Sequence, residues 1–348
     1  MTQPILTVNH LTTKLLIEQS QVAIVEDLSF VLHEKKTLAL VGESGCGKSM
    51  TALSLMRILP HPPALPSTGE VIYKGRNLLT LPEKEMRKIR GGKIAMIFQD
   101  PSSSLNPVYT VGNQLVEVAE LHLNLYGEEA TQRAIMALRE VGIPFPEERL
   151  NNYPHELSGG MRQRVMIAMA LMCEPDILIA DEITTALDVT IQAQILDLIR
   201  ELQKRRGMAV LLITHDMRIV AEMADEVIVM YAAQGIERGK TSDIYDHMAH
   251  PYTQGLFASR PSLHQAKAML PSIKGSVPSA THFPSGCRFH PRCPYVMEKC
   301  RHGAVPLFTI GDSKKNVANP ENEIRHSTNC WLHDGSEESL MQSEQVHE

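Results

Sequence analysis

A run of eight residues near the start of the chain has the glycine spacing that cradles phosphate. Gly42-Glu43-Ser44-Gly45-Cys46-Gly47-Lys48-Ser49 fits the pattern GxxxxGK(S/T), and it joins a predicted buried strand, Leu38–Val41, to a predicted helix, Ser49–Leu59. The glycines let the backbone curl so that successive N–H groups point at a phosphate, and the helix N-terminus adds the positive end of its dipole. We expect Lys48 to reach the β- and γ-phosphates and the Ser49 hydroxyl to bind Mg²⁺. The segment predicts a nucleotide site.

A second candidate site follows another predicted strand. The apolar run Ile177–Ala180 ends in Asp181 and Glu182. At the carboxyl end of a parallel sheet, Asp181 can hold Mg²⁺ through water, and Glu182 can polarise the attacking water as a general base. Solvated strand ends also carry acidic residues, so the pair alone is weak evidence. Its occurrence in one chain with the phosphate loop favours the catalytic interpretation.

Between these two segments lies Leu157-Ser158-Gly159-Gly160-Met161, and with it the chain resembles the nucleotide-binding subunit of an ABC transporter. The resemblance implies an α/β fold: a P-loop ATPase of ABC type with a mixed sheet core and a helical subdomain at about residues 100–175. Ser158 is expected to cap the following helix and to form an anion site with Gly159 and Gly160. In the family this site touches the γ-phosphate bound by the other subunit, so that ATP lies between two head-to-tail chains.

The resemblance assigns roles to three further positions. Gln99 matches the glutamine loop that senses Mg²⁺ and water and faces the transmembrane partner. Asp188 ends Ala186-Leu187-Asp188, which matches the D-loop at the dimer interface, and His215 matches the switch histidine that contacts the γ-phosphate. The predicted catalytic residues are Glu182, His215, Lys48 and Gln99, and the predicted Mg²⁺ ligands are Ser49, Gln99 and Asp181. The predicted nucleotide contacts are Gly42, Glu43, Ser44, Gly45, Cys46, Gly47, Lys48, Ser49, Met50, Gln99, Asp181, Ser158, Gly159, Gly160 and Asp188.

Four longer segments are similar to the ATPase subunits of oligopeptide and dipeptide importers. They are Phe98-Gln99-Asp100-Pro101 continuing into Ser104-Leu105-Asn106-Pro107, Gly159-Gly160-Met161-Arg162-Gln163-Arg164, His250-Pro251-Tyr252-Thr253, and Gly286-Cys287-Arg288-Phe289 with Arg292-Cys293-Pro294. The implied function is ATP hydrolysis that drives peptide import through two integral-membrane permease subunits. The other implied partners are a second, related ATPase subunit and, indirectly, an extracytoplasmic substrate-binding protein. The implied location is the cytoplasmic face of the cell membrane.

Two alternative functions stay open. Nickel importers form a close branch of the same group, so the substrate class is less secure than the ATPase activity. A soluble ABC-type ATPase that acts on ribosomes or DNA is the alternative from another class. The chain has one phosphate loop, one signature and no heptad run, and its net charge of −6 disfavours a nucleic-acid partner.

Composition places the 348 residues among soluble globular chains and outlines three regions. Hydrophobic residues make up 43% and charged residues 21%, and the longest apolar run, Val165–Cys173, is far shorter than a membrane span. No basic residue precedes Lys14, so a secretory signal is not expected. We predict an ABC nucleotide-binding domain over residues 1–250, a small loop-rich, cysteine-containing domain over 251–333, and a disordered acidic tail over 334–348.

The C-terminal region contains four cysteines, Cys287, Cys293, Cys300 and Cys330. Their spacing is not the CxxC pairing of common zinc ribbons. Similar subunits carry four such cysteines as ligands of a four-iron four-sulfur cluster, and these positions match. Unliganded buried thiols, or zinc bound with help from His290 or His326, are the alternatives.

Three features depart from the family pattern. Met161 replaces the more general Gln of the signature, a change that is common in the peptide-importer subfamily. Ile183 stands where the family usually has Pro after the catalytic Glu, and this change is expected to loosen the following turn. The region that should stack an aromatic ring on adenine, about Gln21 to Val25, has only aliphatic and polar side chains. Val22 is the candidate apolar platform, with weaker base contact as the expected consequence.

Overall fold

The structure of the chain is a computed structural model that describes residues 3–99, 104–183, 188–258, 273–311 and 325–339. The strands are β1 Pro4–Ile17, β2 Ser20–His33, β3 Thr37–Val41, β4 Thr68–Tyr73, β5 Arg76–Asn77, β6 Ile94–Ile97, β7 Ile177–Asp181, β8 Ala209–Thr214, β9 Glu226–Tyr231, β10 Gln234–Lys240, β11 Phe308–Thr309 and β12 Ser327–Thr328. The helices are α1 Lys48–Met56, α2 Glu83–Ile89, α3 Val111–Leu123, α4 Gly127–Glu140, α5 Pro146–Arg149, α6 Gly159–Leu171, α7 Val189–Arg206, α8 Met217–Met223, α9 Thr241–Asp246 and α10 Pro251–Ala258.

The chain folds as two compact units that each combine several segments. The first unit consists of Met1–Leu6, Val31–Thr37 and Ile72–Ile213. The second unit consists of Thr7–Phe30, Leu38–Val71 and Thr214–Glu348. The chain therefore passes back and forth between the units.

The first unit contains a parallel arrangement of β6, β7 and β8 beside a group of helices. Strand β7 lies between the other two, with Ile94 opposite Ile177 on one side and Asp181 opposite Ile213 on the other. Every residue of β7 is buried, as expected for a parallel strand covered on both faces. Helices α3, α4 and α6 pack on one another within the range predicted to be helical.

The second unit contains a mixed sheet in the order β11-β12-β10-β9-β3. Strand β3 runs parallel to β9, with Val41 opposite Val229, whereas β10 and β12 pair antiparallel to their neighbours. All five residues of β3 are buried, and the phosphate loop begins directly after it. Residues from the C-terminal part of the chain thus form one edge of this sheet.

The predicted strands and helices are present, with shifted ends. The predicted helix Ser49–Leu59 ends at Met56, because Arg57 adopts a left-handed conformation at φ 53° and bonds to the carbonyls of Leu53 and Ser54. Helix α7 is capped at both ends. It begins after the cap Asp188 and ends at Gly207, whose φ of 68° suits glycine.

Part of the predicted acidic tail is folded against the chain. The Lys299 ammonium donates to Asp334 Oδ2 at 2.6 Å and to the hydroxyls of Ser336 and Ser339 at 2.9 and 3.0 Å. The cause is electrostatic, since this cation gives the first acidic residue of the tail a partner. The prediction of disorder is therefore wrong for residues 334–339, and residues 340–348 lie outside the described chain. Within the described ranges, no helix combines the length and hydropathy needed to cross a membrane.

Candidate functional site

The phosphate loop lies in the second unit, where glycines permit close backbone packing. A Cβ added to Gly42 would lie 2.2 Å from the Met230 carbonyl oxygen, and one added to Gly47 would lie 2.5 Å from the Ile24 carbonyl oxygen. Both glycines also have positive φ angles, 152° and 107°. Helix α1 begins at Lys48, so the loop leads into a helix N-terminus as expected for a phosphate site. Ser49 and Met50 lie in the first turn of α1.

Lys48 is buried against the loop that precedes it. Its ammonium donates to the carbonyls of Gly42 at 2.7 Å and Glu43 at 3.0 Å, and only 4% of the residue is exposed. Cys46 Sγ lies 3.7 Å from the same ammonium, and burial raises the pKa of this thiol. Cys46 is therefore a neutral packing residue, while Lys48 supplies the positive charge that a phosphate needs.

Glu43 joins the loop to two residues from the C-terminal third of the chain. Its N–H donates to Tyr252 Oη at 2.8 Å, and its carboxylate accepts hydrogen bonds from Arg292 at 2.7 and 3.1 Å. No local pattern indicated a site role for Tyr252 or Arg292, although both lie in segments that resemble peptide-importer ATPases. The contact depends on tertiary packing over a separation of 249 residues and has no local signal.

The first unit brings two predicted catalytic residues into contact. Gln99 Nε2 donates to Glu182 Oε2 at 2.8 Å, across 83 residues of sequence. Asp181 is 4% exposed at the end of β7, and Glu182 follows it with its N–H bonded to the Ile213 carbonyl at 2.9 Å. The structure thus places a carboxylate, a candidate general base, beside the amide of the glutamine loop.

The signature segment also lies in the first unit, at the start of α6. The Ser158 hydroxyl accepts a hydrogen bond from the Met161 N–H at 3.3 Å, which makes it the N-cap of this helix. A Cβ at Gly160 would approach Ile191 Cγ2 to 3.2 Å. Asp188 caps α7 through the Ile191 N–H at 2.9 Å. Ala186 and Leu187 of the predicted D-loop lie outside the described residues.

His215 belongs to the second unit and follows β8 directly. Asp216, the next residue, caps α8 through the Arg218 N–H at 2.8 Å, and its own N–H bonds to Thr214 Oγ1 at 3.0 Å. These bonds fix the backbone on both sides of His215. Its contact with a γ-phosphate stays a prediction.

Val22 is a poor platform for an adenine ring. Only 5% of the residue is exposed, because it packs into the core between its strand neighbours. A base needs an open side-chain face to stack on. The expectation that Val22 serves as this platform is therefore not supported.

The four C-terminal cysteines lie close enough to influence one another. Burial, followed by neighbouring thiols, raises the pKa of Cys287 to about 11 and that of Cys293 to about 12. The pKa of Cys330 is raised by burial and then by the other three thiols. Cys300 and Cys330 share a small apolar cluster against which Cys287 packs.

These cysteines do not form a ready metal site. No group of three or more His, Cys, Asp or Glu side chains is arranged to hold a metal ion among the residues the structure describes. Neither candidate zinc helper belongs to such a group in the described residues: His290 donates to the Cys287 carbonyl at 3.0 Å, and His326 donates to Glu237 at 2.8 Å. The donor chemistry suits an iron–sulfur cluster, but the arrangement lends the cluster no support.

Comparison with known proteins gives consistent results. The family model for ABC transporters matches residues 25–185, and that for the C-terminal region of oligopeptide/dipeptide transporters matches residues 236–300. The chain is 48% identical to a probable peptide ABC transporter ATP-binding protein of Sinorhizobium fredii, over 94% of both chains. It is 46% identical to the dipeptide transport ATP-binding protein DppD of Bacillus subtilis, over 98% of both.

A solved structure is similar over the nucleotide-binding region. It shows an ATP-binding cassette in a dimeric post-hydrolysis state with ADP and Pi, at a TM-score of 0.60 and 26% identity, covering 68% of this chain and 98% of that one. Fold and site define an ABC-type P-loop ATPase. The chain belongs to the ABC transporter family, among the ATP-binding proteins of its peptide transporters.

Proposed function

We propose that this chain hydrolyses ATP to drive the import of peptides through partner permease subunits. The hydrogen bond between Gln99 and Glu182 is the observation that supports ATP hydrolysis, since it joins the glutamine loop to the candidate general base. The relatives at 46–48% identity are peptide and dipeptide transport proteins, and they supply the substrate class. Nickel import is the alternative within the same group.

The proposed mechanism relies on position and charge rather than on covalent catalysis. The phosphate-loop N–H groups and Lys48 bind the phosphates, and Glu182 accepts a proton from the attacking water while Gln99 orients it. His215 stabilises the transferring phosphoryl group. Ser49, Gln99 and Asp181 carry oxygen donors, the type that Mg²⁺ prefers, and a bound Mg²⁺ would neutralise phosphate charge.

The proposed assembly needs further chains. Ser158, Gly159, Gly160 and Asp188 would contact the ATP that a second ATPase subunit holds. The helix N-terminus that begins at Gly159 supports this role, because its N–H groups can bind an anion. We propose that this subunit is a related but different chain. The pair would dock on two permease subunits at the cytoplasmic face of the membrane, and a substrate-binding protein would deliver the peptide outside.

We further propose the domain division at residues 250 and 251. The α10 helix begins at Pro251, after which the described chain has short turns, β11 and β12 in place of long elements. The match of residues 236–300 to the oligopeptide/dipeptide transporter C-terminal model supports a distinct C-terminal region.

The experiment is uptake of labelled di- and oligopeptides by cells that carry wild-type protein or Glu182→Gln, with nickel uptake measured in parallel. We expect Glu182→Gln to abolish peptide uptake, because an amide cannot accept the proton of water. Equal expression of both proteins, shown by immunoblot, is the control. Unchanged peptide uptake with loss of nickel uptake would keep the motor role and reassign the substrate.

We also propose that Cys287, Cys293, Cys300 and Cys330 bind a four-iron four-sulfur cluster that fixes the loop-rich C-terminal region. Four thiols are the donor type that such clusters take, and three of them, Cys287, Cys300 and Cys330, pack in one small apolar cluster. Anaerobic purification should give iron, acid-labile sulfide and visible absorbance, all lost in Cys293→Ser. A colourless protein without iron or sulfide would exclude the cluster.

A further inference from the structure

Arg292, in the C-terminal region, forms a bidentate ion pair with Glu43 of the phosphate loop. The two guanidinium nitrogens Nη1 and Nη2 donate to Glu43 Oε2 and Oε1 at 2.7 and 3.1 Å. The Arg292 side chain is 6% exposed and that of Glu43 is 29% exposed. Such parallel charge-assisted bonds fix geometry as well as charge, which an isolated surface ion pair does not.

The remaining donors of Arg292 anchor it to its own surroundings. Nε donates to the Lys274 carbonyl at 2.9 Å, and Nη1 donates to Tyr231 Oη at 3.3 Å. The guanidinium also lies over the rings of Tyr231 and Phe289, 5.7 and 5.9 Å from their centroids. These contacts hold the Arg292 guanidinium in one position independently of its hydrogen bonds to Glu43.

The backbone of Glu43 is held at the same time. Its N–H donates to Tyr252 Oη at 2.8 Å, and its carbonyl accepts from Lys48 Nζ at 3.0 Å. Tyr252 is fully buried and packs on Tyr231 at 4.7 Å and on Phe289 at 5.5 Å between ring centroids. Tyr231, Tyr252 and Phe289 thus form one aromatic cluster. This cluster supports both the Tyr252 contact and the Arg292 contact to Glu43.

The negative charge of Glu43 explains why the ion pair with Arg292 matters for phosphate binding. A carboxylate inside a loop that binds a triphosphate repels the ligand unless a cation neutralises it. Arg292 provides that cation from outside the loop, so Lys48 remains available to the phosphates. The bidentate geometry also limits the rotation of the Glu43 side chain toward the phosphate side.

We propose that Arg292 is a positioning residue for ATP: anchored in the C-terminal region, it acts through Glu43 to neutralise the loop and hold it in the phosphate-binding shape. The inference rests on the proposed function in so far as ATP is the ligand of this loop. It makes the C-terminal region a part of the nucleotide site.

The test is titration of the full-length chain with a fluorescent ATP analogue. Arg292→Ala should weaken binding about 10-fold, the size expected for losing one charge-assisted pair. Arg292→Lys should weaken it about 3-fold, because lysine keeps the charge and loses the bidentate bond. In the assembled transporter, Arg292→Ala should raise KM for ATP and leave kcat at saturating ATP unchanged.

A double-mutant cycle separates this role from a general loss of structure. In a Glu43→Gln background, Arg292→Ala should change the Kd less than about 2-fold, because the carboxylate is gone. Lys299→Ala is the matched control: it breaks an ion pair with Asp334 in the same region and should keep wild-type affinity. If Arg292→Ala does not fold, the same cycle with Arg292→Lys tests whether Arg292 acts through Glu43.

Two results would overturn the inference. One is a wild-type Kd in Arg292→Ala or, if that variant does not fold, in Arg292→Lys; the other is an equal loss of affinity with and without Glu43. A wild-type chain that binds no ATP would instead contradict the proposed function itself.

Discussion

Glu182 combines a strained backbone with a defined side-chain contact. Its φ of 46° lies in the left-handed region, which is unfavourable for a residue with a Cβ. The bonds to the Ile213 carbonyl and from Gln99 hold it there. Such strain is found where a side chain must be aimed precisely, and here it presents a carboxylate to the glutamine loop.

Ile183 has a clear packing role at the position where the family pattern predicts Pro. The residue is 2% exposed, so its side chain is part of the core directly after Glu182, the predicted general base. Burial of an Ile side chain anchors the chain at this point by hydrophobic contact, in place of the restricted φ of proline. Residues 184–187, where the expected loosening would appear, lie outside the described chain.

The burial of Val22 leads to a prediction about the adenine contact. Val22→Tyr should lower the free energy of unfolding by about 1–3 kcal/mol, because the larger ring overpacks a site that is 5% exposed. ATP affinity should not improve. Gln21→Tyr, at the exposed neighbouring position, is the control and should keep wild-type stability. Thermal and urea unfolding measure the first effect, and nucleotide titration measures the second; tighter ATP binding by Val22→Tyr would contradict the prediction.

At the scale of elements, the site residues lie where strands and helices begin and end. Asp181 ends β7, Lys48 starts α1, and Ser158, Asp188 and Asp216 cap α6, α7 and α8. Free N–H groups at helix starts can bind phosphate, so the predicted nucleotide contacts fall at positions that also begin helices. Local sequence therefore predicts these ends of the strands and helices.

The sequence could not predict contacts that depend on long-range packing. Glycine spacing, capping residues and buried strand patterns are local, and they correctly indicated the phosphate loop, α6 and β7. The partners of Glu43 come from Tyr252 and Arg292, which only the folded second unit brings to the loop. The shortened end of α1 and the burial of Val22 likewise depend on tertiary surroundings.

Ser158 allows the folding role of a helix cap to be separated from its proposed role in anion binding. Ser158→Ala should cost about 1 kcal/mol of stability, because the Met161 N–H loses its acceptor. Ser158→Asp should keep that stability, since aspartate caps equally well, yet ATPase activity should fall at least about 10-fold because its charge repels the phosphate. Unfolding curves and phosphate release measure the two effects.

Asp188→Ser is the matched control for this pair, since it exchanges one capping side chain for another at the start of α7. Helix stability should be unchanged in this variant. If Ser158→Asp hydrolysed ATP at the wild-type rate in the assembled transporter, the start of α6 would not be an anion site.

At the scale of the whole molecule, each unit holds its own part of the machinery. The second unit contains the phosphate loop, the Arg292 contact and the strands β11 and β12 that extend the sheet. The first unit contains the glutamine loop, the acidic strand end and the signature helix α6. Each unit thus contains only part of the predicted set of site residues.

The proposed partners predict how the whole chain behaves in a cell. The proposed function predicts that attachment of the chain to the membrane requires the permease subunits. Expressed without them, the chain should stay in the supernatant after ultracentrifugation; expressed with them, it should sediment with membranes and be detected by immunoblot. Glu182→Gln should sediment equally, because docking does not use the catalytic carboxylate. If the chain sedimented with membranes in the absence of the permease subunits, it would reach membranes on its own. If it stayed in the supernatant when the permease subunits were present, the transporter assignment would be contradicted.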